Sequence, residues 1–130
     1  MAMFRKSRTN TAVDVTRLEA GEITVHVVPA GNQITVAVAG RVTVESSPKL
    51  RAALLPLLQG GGAPVMVINL SAVFYLDMSG IATLLEALKA AHERSVRLRL
   101  SGMSGQVRML AEVAQLDAIF RAWGSEVEFQ

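Results

Sequence analysis

The stretch NLSAVFYLDMSGIATLLEALKAA, residues 69–91, passes from an apolar run into a helical repeat through Asp77-Met78-Ser79-Gly80. The run that it continues, PVMVINL (64–70), is apolar at nearly every position, which is typical of a strand buried on both faces of a parallel sheet. After the junction, apolar residues recur with the spacing i, i+3, i+4, i+7 of one helix face. They are Ile81, Leu84, Leu85 and Leu88. The stretch therefore predicts a buried strand, a short loop at residues 75–80 and a helix.

Two β-rich segments lie N-terminal to this stretch. Residues 22–28 and 33–39 are rich in β-branched side chains, and the turn-forming sequence PAGN (29–32) separates them. This pattern predicts a β-hairpin, because proline, glycine and asparagine favour the conformations that a tight turn needs.

A helix is predicted after the hairpin. Ser46 or Ser47 can cap it, with Pro48 at its first position, where the missing N–H costs nothing. Four residues repeat with helical spacing on its apolar face: Leu50, Ala53, Leu54 and Leu57. The glycines of QGGGAP (59–64) end it. That run lacks the Lys-Ser/Thr pair of a P-loop and precedes a strand, so it does not predict a phosphate site.

The C-terminal part continues the alternation of strands and helices. In VRLRLS (96–101) every second residue is apolar, which predicts a strand, and SGMSG (101–105) predicts a loop. A third helix is predicted at 106–116 and a last short strand at 126–129. The apolar side of that helix holds Val107, Leu110, Ala111 and Ala114. We therefore expect a single α/β domain, residues 21–130, with a mixed sheet of about four to five strands and helices packed on it.

Composition and charge narrow the functional classes. The 130 residues are 51% hydrophobic and include no cysteine, which excludes disulfides and thiolate metal sites. The net charge of +2 comes from residues 1–20, a polar basic leader that we expect to be a solvated terminus. Aromatic residues make up only 5% of the chain, which leaves few rings for stacking against bases, so no direct nucleic-acid binding is expected. With no secretory signal and no membrane span in the sequence, a cytoplasmic protein is the expectation.

Enzyme and metal motifs find little support in the sequence. His26 and His92 have no histidine or cysteine companion at ligand spacing, so no metal site is predicted. GMSGQ (102–106) resembles a nucleophile elbow, but Gln106 stands where the second glycine is required, and no histidine follows His92. A non-enzymatic protein without a cofactor is the expectation.

The junction itself, Asp77-Met78-Ser79-Gly80, has two interpretations. In the structural one, Asp77 or Ser79 caps the helix and Gly80 lets the backbone turn. In the functional one, Ser79 carries a phosphate, because a helix N-terminus offers free N–H groups and the positive end of a dipole. Asp77 would then repel the phosphate or orient the hydroxyl. Spacing alone favours the capping interpretation.

The order of these segments resembles that of STAS-domain proteins, the anti-sigma-factor antagonists of bacteria. VINLSAVFYLDMSGIATLLEALKAA (67–91) is similar to their apolar strand, hydrophobic-aspartate pair, Ser-Gly and leucine-rich helix. VAVAGRVTVESSPKLRAAL (36–54) and SVRLRLSGMSGQVRMLAEVAQLDAIF (95–120) are similar to the flanking parts, so the resemblance covers roughly residues 22–129. It implies a regulatory protein that binds an anti-sigma factor with serine-kinase activity, is phosphorylated by it, and is restored by a PP2C-type phosphatase.

Carried over by position, the resemblance makes Ser79 the phosphoacceptor, with Asp77, Met78, Gly80 and Thr43 as its neighbours. The chain departs from the family pattern twice. Gly40-Arg41-Val42-Thr43 lacks the usual acid of that turn, and Met78 replaces the more common serine or threonine.

The loop and the exposed side of the following helix are the predicted partner surface. Its candidate contacts are Tyr75, Met78, Ala82, Glu86 and Lys89. A homodimer is a further expectation. The alternative is an accessory subunit of a lipid-transport ABC complex, in which a STAS domain binds its partner without a phosphorylation cycle.

Overall fold

A computed structural model of the protein describes residues 22–60 and 62–129. The predicted leader, residues 1–20, lies outside these ranges. The described chain contains five strands and four helices. They are β1 (Ile23–Ala30), β2 (Gln33–Val42), α1 (Ser47–Gln59), β3 (Val65–Leu76), α2 (Met78–Glu93), β4 (Arg97–Met103), α3 (Gly105–Val113), α4 (Leu116–Ala122) and β5 (Glu126–Phe129).

The strands form one mixed sheet in the order β1-β2-β3-β4-β5. β1 and β2 are an antiparallel hairpin, and the pairs β2–β3, β3–β4 and β4–β5 are parallel. Each helical crossover thus leads to the next strand in the same direction, so right-handed connections place the helices on one face of the sheet. The predicted single α/β domain with a mixed sheet is confirmed.

The hydrophobic core lies between this face and the helices. In β4, Leu98 and Leu100 are fully buried while Arg97 is exposed, as the alternation predicts. In α1 the buried residues are Leu50, Leu54 and Leu58. The predicted apolar face of α1 was therefore incomplete, because Leu58 is fully buried while Leu57 is only partly so.

The start of α1 differs from the prediction. Ser46 is its N-cap residue, Ser47 is the first helical residue and Pro48 the second. The Ser46 hydroxyl does not cap the helix, because it accepts from the Thr43 N–H at 2.9 Å and donates to the Arg41 carbonyl at 2.6 Å. Ser46 therefore stabilises the turn between β2 and α1.

β3 is longer than predicted. Its second half pairs with the end of β2, from Ala39↔Ala72 to Val42↔Leu76, after shifts in register. The predicted loop at residues 75–80 is therefore wrong: residues 75 and 76 belong to β3, and α2 begins at Met78. Partner strand β2 keeps the chain extended up to the residue before Asp77.

Two C-terminal elements have other bounds than the sequence predicts. The predicted loop at 101–105 is mostly strand, because β4 runs to Met103. The predicted helix at 106–116 corresponds to α3 but ends earlier, at Val113, and α4 was not predicted. Gln115 adopts a left-handed conformation (φ 57°) that separates the two helices. The last strand at 126–129 is confirmed as β5.

Candidate functional site

The candidate site lies where β3 ends and α2 begins. Asp77 is the N-cap of α2 and has an extended backbone (φ −111°, ψ −175°). Its Oδ1 atom accepts from the backbone N–H of Ser79 at 2.9 Å and of Gly80 at 3.3 Å. The Ser79 hydroxyl donates to the same oxygen at 2.5 Å. The capping interpretation is thus confirmed, with Asp77 as the cap and Ser79 held against it.

The second oxygen of Asp77 connects α2 to the turn between β2 and α1. Oδ2 accepts from the Val44 N–H at 3.2 Å, and the Asp77 N–H donates to the Val42 carbonyl at 3.0 Å. In the same turn Thr43 Oγ1 accepts from the Glu45 N–H at 3.2 Å. The structure thus places the turn that contains Thr43 next to Asp77, and the role of Thr43 beside a phosphoacceptor stays a prediction.

These contacts also change the acidity of Asp77. Partial burial raises the pKa of its carboxyl, but hydrogen bonds from the Ser79 hydroxyl and from the N–H groups of Gly80, Ser79 and Val44 outweigh this effect. The pKa of Asp77 therefore lies below its ordinary value. The carboxylate is charged at neutral pH and is a weak base that can orient the Ser79 hydroxyl.

The helix N-terminus is not the open anion site that the functional interpretation assumed. The N–H groups of Ser79 and Gly80 already donate to Asp77 Oδ1, and that of Ile81 donates to the Asp77 carbonyl at 3.2 Å. A phosphate on Ser79 would have to compete with a carboxylate for these donors. The N–H groups of Ser79 and Gly80 are therefore not free in the unphosphorylated chain, and their contact with a phosphate stays a prediction.

Gly80 has a different role from the predicted one. Its backbone is helical, so no unusual conformation requires glycine. A Cβ atom at this position would lie 2.9 Å from Val42 Cγ1 and closer still to the Leu76 side chain. Glycine is needed because the first turn of α2 packs directly against the ends of β2 and β3.

Gln106, from the start of α3, fixes the end of β3 and was missed as a structural residue. β4 pairs with β3 only up to Asn69↔Ser101, which leaves the far half of β3 without that partner. There the Gln106 side chain accepts from the Leu76 N–H at 2.9 Å and donates to the Leu76 carbonyl at 2.7 Å. Its amide replaces a strand partner immediately before Asp77.

Exposed apolar side chains surround the junction. Val44 is 70% exposed, Met78 60% and Phe74 49%. The guanidinium of Arg41 lies 4.8 Å from the centre of the Tyr75 ring, a cation–π distance. Desolvating apolar groups of this kind is the main favourable contribution to protein association, so this surface suits a protein partner.

The predicted contacts on α2 differ in their surroundings. Ala82 and Lys89 are exposed. Glu86 forms an ion pair with Arg51 of α1, in which the Nε–H of Arg51 is shared between the two carboxylate oxygens at 2.8 and 2.9 Å. This hydrogen bond lowers the pKa of Glu86 and raises that of Arg51. Glu86 is half-buried and held by Arg51, so it is less available to a partner than Ala82 and Lys89.

A second Met-Ser-Gly sequence provides an internal comparison. Met103-Ser104-Gly105 also joins a strand to a helix, and Ser104 is the N-cap of α3. Ser104 makes no side-chain cap hydrogen bond, and the residue two positions before it is Gly102, where Asp77 stands in the first sequence. The tripeptide alone therefore does not create the Ser79 geometry.

The two histidines lie in different elements of the fold, and neither is part of the Ser79 junction. His26 lies in β1, and His92, near the end of α2, contacts Trp123 with ring centres 4.8 Å apart. Within residues 22–60 and 62–129, no three histidine, aspartate or glutamate side chains cluster closely enough to bind a metal ion. None of the helices in these ranges is both long and apolar enough to span a membrane.

Comparison with known proteins places this geometry in a family context. Residues 25–121 match a family model described as "Mlab, STAS domain". An anti-sigma-B factor antagonist of Staphylococcus aureus is 33% identical over 94 residues, which cover 72% of this chain and 86% of that protein. A homologue from Staphylococcus epidermidis with the same description has the same identity and coverage.

Solved structures share the fold at low sequence identity. An anti-sigma factor antagonist from Mycobacterium paratuberculosis superimposes with a TM-score of 0.69 at 23% identity, over 77% of this chain and 84% of that one. The phosphorylated form of the Bacillus cell fate determinant SpoIIAA gives 0.62 at 13% identity, over 82% and 91%.

Proposed function

The chain belongs to the STAS-domain family, and from this premise we propose that it is an anti-sigma factor antagonist. It would bind an anti-sigma factor and thereby release the sigma factor which that protein holds. The observation that supports this most is the Ser79 hydroxyl fixed against Asp77 at the β3–α2 junction, inside an exposed apolar surface. The binding surface comprises the junction with Tyr75 and Met78, and the outer side of α2 with Ala82, Lys89 and Glu86, which meets a partner as an ion pair with Arg51.

We further propose that Ser79 is the phosphoacceptor of a serine-kinase anti-sigma factor. The Ser79 oxygen attacks the terminal phosphorus of ATP bound to the kinase, the bond to ADP breaks, and the hydroxyl proton leaves to a base of the kinase. Asp77 contributes orientation, since its lowered pKa makes it a weak base. A PP2C-type phosphatase hydrolyses the phosphoserine and restores the binding form.

The local charges explain how a phosphate would switch binding off. The phosphate adds a charge of about −1.5 to −2 beside a carboxylate that is already ionised. Phosphorylation also removes the hydroxyl proton that now donates to Asp77 Oδ1. The Asp77 carboxylate loses a donor and gains a like charge, so the apolar surface around Val44 and Met78 acquires a strongly negative centre. A partner that desolvates this surface would lose affinity.

The binding proposal is tested with the anti-sigma factors encoded in the same genome. We expect the purified chain to form a complex with one of them, measured by calorimetry, and to release its sigma factor. Ser79→Asp should weaken the complex, while Ser104→Asp, at the matched Met-Ser-Gly sequence, should leave it intact. Equal affinity of both variants would contradict the role of Ser79.

A second candidate is the transport role, in which the same surface binds a subunit of a lipid-transport ABC complex. It predicts co-purification with an ATPase subunit that Ser79→Asp barely affects. For the regulatory role we expect the cycle to take place in the cytoplasm, and a homodimer would be detected as a doubled mass in solution.

A further inference from the structure

A cleft lies at the end of the sheet opposite Ser79. It is formed where β3, β4 and β5 begin and where α2 and α4 end, and its volume is about 530 Å³. Small-molecule sites in proteins typically enclose about 300–1,000 Å³. The cleft is therefore large enough for a small ligand, and it is separated from Ser79 by the full length of α2.

Two aromatic rings form one wall of the cleft. His92, near the end of α2, and Trp123, the C-cap of α4, meet with an angle of 68° between their planes. Trp123 is 41% exposed, and its indole N–H donates to no residue within 22–60 or 62–129. A large apolar ring with an unused donor is the kind of group that small planar ligands contact in binding sites.

Arg97 supplies an unpaired cation to the same cleft. Four other arginines of the described chain are held by carboxylates: Arg51, Arg99, Arg108 and Arg121. The exposed Arg97 guanidinium has no such partner in the described ranges, and none of the described residues that line the cleft is acidic. A planar guanidinium with free N–H groups is suited to bidentate contact with a carboxylate.

The ends of two helices limit the charge of the ligand. α2 and α4 both direct their C-termini to this end of the sheet, and helix C-termini carry partial negative charge. One guanidinium beside two such ends favours a single negative charge over the two of a phosphate monoester. We propose that the cleft binds a small planar aromatic carboxylate, with its ring against Trp123 and its carboxylate on Arg97. This proposal is independent of the function assigned to Ser79.

The single tryptophan of the chain provides a direct probe. Its indole N–H gives one resonance in a ¹H–¹⁵N spectrum, which can be followed during titration with naphthoate. We expect a saturable shift with a Kd of about 1 mM, the affinity that an ordinary ligand efficiency gives for an acid of this size. The neutral isostere naphthamide should bind at least about tenfold more weakly, since it cannot form the charged pair with Arg97.

Variants of neighbouring arginines complete the test. Arg97→Gln should weaken naphthoate binding roughly tenfold or more, the usual effect of losing hydrogen bonds to a charged group. Arg94→Gln is the matched control, because Arg94 is exposed at the end of α2 but does not line the cleft. Both variants retain Trp123, so the same resonance reports on each. The absence of a saturable shift, equal binding of naphthamide, or an unchanged Kd in Arg97→Gln would overturn the proposal.

Discussion

Replacement of Asp77 by alanine removes all four hydrogen bonds that its carboxylate accepts at the β3–α2 junction. Loss of an N-cap side chain costs about 1 kcal/mol. The additional contacts with the Val44 N–H and the Ser79 hydroxyl are partly exposed to solvent and add about 1 kcal/mol together. We therefore expect Asp77→Ala to lower the free energy of unfolding by about 2 kcal/mol, a shift in Tm of roughly 8 °C for a domain of this size.

The destabilisation should depend on pH. Because the pKa of Asp77 is lower in the folded state, the ionised carboxylate stabilises the protein above the unfolded pKa of about 3.9. This contribution is lost as the pH falls through the folded pKa. Urea unfolding at pH 7 and at several pH values below about 4 should therefore show the difference between wild type and Asp77→Ala becoming smaller in acid.

Ser104→Ala is the control for this prediction. Ser104 is also an N-cap at a strand–helix junction, but its side chain makes no cap hydrogen bond, so we expect a loss below about 0.5 kcal/mol. If Asp77→Ala and Ser104→Ala destabilised the protein equally, or if the effect of Asp77→Ala were the same at pH 7 and in acid, the structural role given to Asp77 would be refuted.

Three other substitutions test the packing that positions the site. Gly80→Ala forces a Cβ against Val42 and Leu76, so we expect urea unfolding to show a free energy lower by about 1–3 kcal/mol, although alanine is the better helix former. Unchanged stability would contradict the close packing. Gln106→Ala leaves the Leu76 N–H and carbonyl without the Gln106 amide and should lower the free energy of unfolding by about 1–3 kcal/mol. The control Gln59→Ala should change it little, because Gln59 is exposed. Equal effects would argue against the role of Gln106. Leu58→Ala should lower the free energy of unfolding by about 2–5 kcal/mol, because it leaves a cavity in the core. Leu57→Ala should have a smaller effect, since Leu57 is only partly buried. If thermal unfolding gave the reverse order, the apolar face assigned to α1 would be wrong.

Local sequence patterns predicted the five strands and three of the four helices of the described chain. The β-branched segments of the hairpin, the apolar run before Asp77 and the helical spacing from Ile81 to Leu88 each carry their own period. Boundaries that depend on partners were not predictable in this way. β3 extends to Leu76 because β2 pairs with it there, and α3 ends because Gln115 adopts a left-handed conformation without glycine or proline nearby.

The candidate site was predictable in part for the same reason. Asp77 and Ser79 are neighbours in sequence, so their capping contact follows from the residues alone. Val44 contacts Asp77 and Gln106 contacts Leu76, and in each pair the residues are about 30 positions apart in sequence. The periodic pattern of a single strand or helix does not predict such contacts. The occupied N–H groups of Ser79 and Gly80 could also not be inferred, because sequence does not show whether Asp77 or a bound anion takes them.

The most direct test of the central proposal is the intact mass of the chain after incubation with ATP and the serine-kinase anti-sigma factors of its own organism. We predict the gain of one phosphoryl group in the wild type and in Ser104→Ala, and no gain in Ser79→Ala. Ser79→Ala should remain folded, since Asp77 still accepts from the two backbone N–H groups. The absence of phosphorylation in the wild type, or its persistence in Ser79→Ala, would contradict the phosphoacceptor role of Ser79.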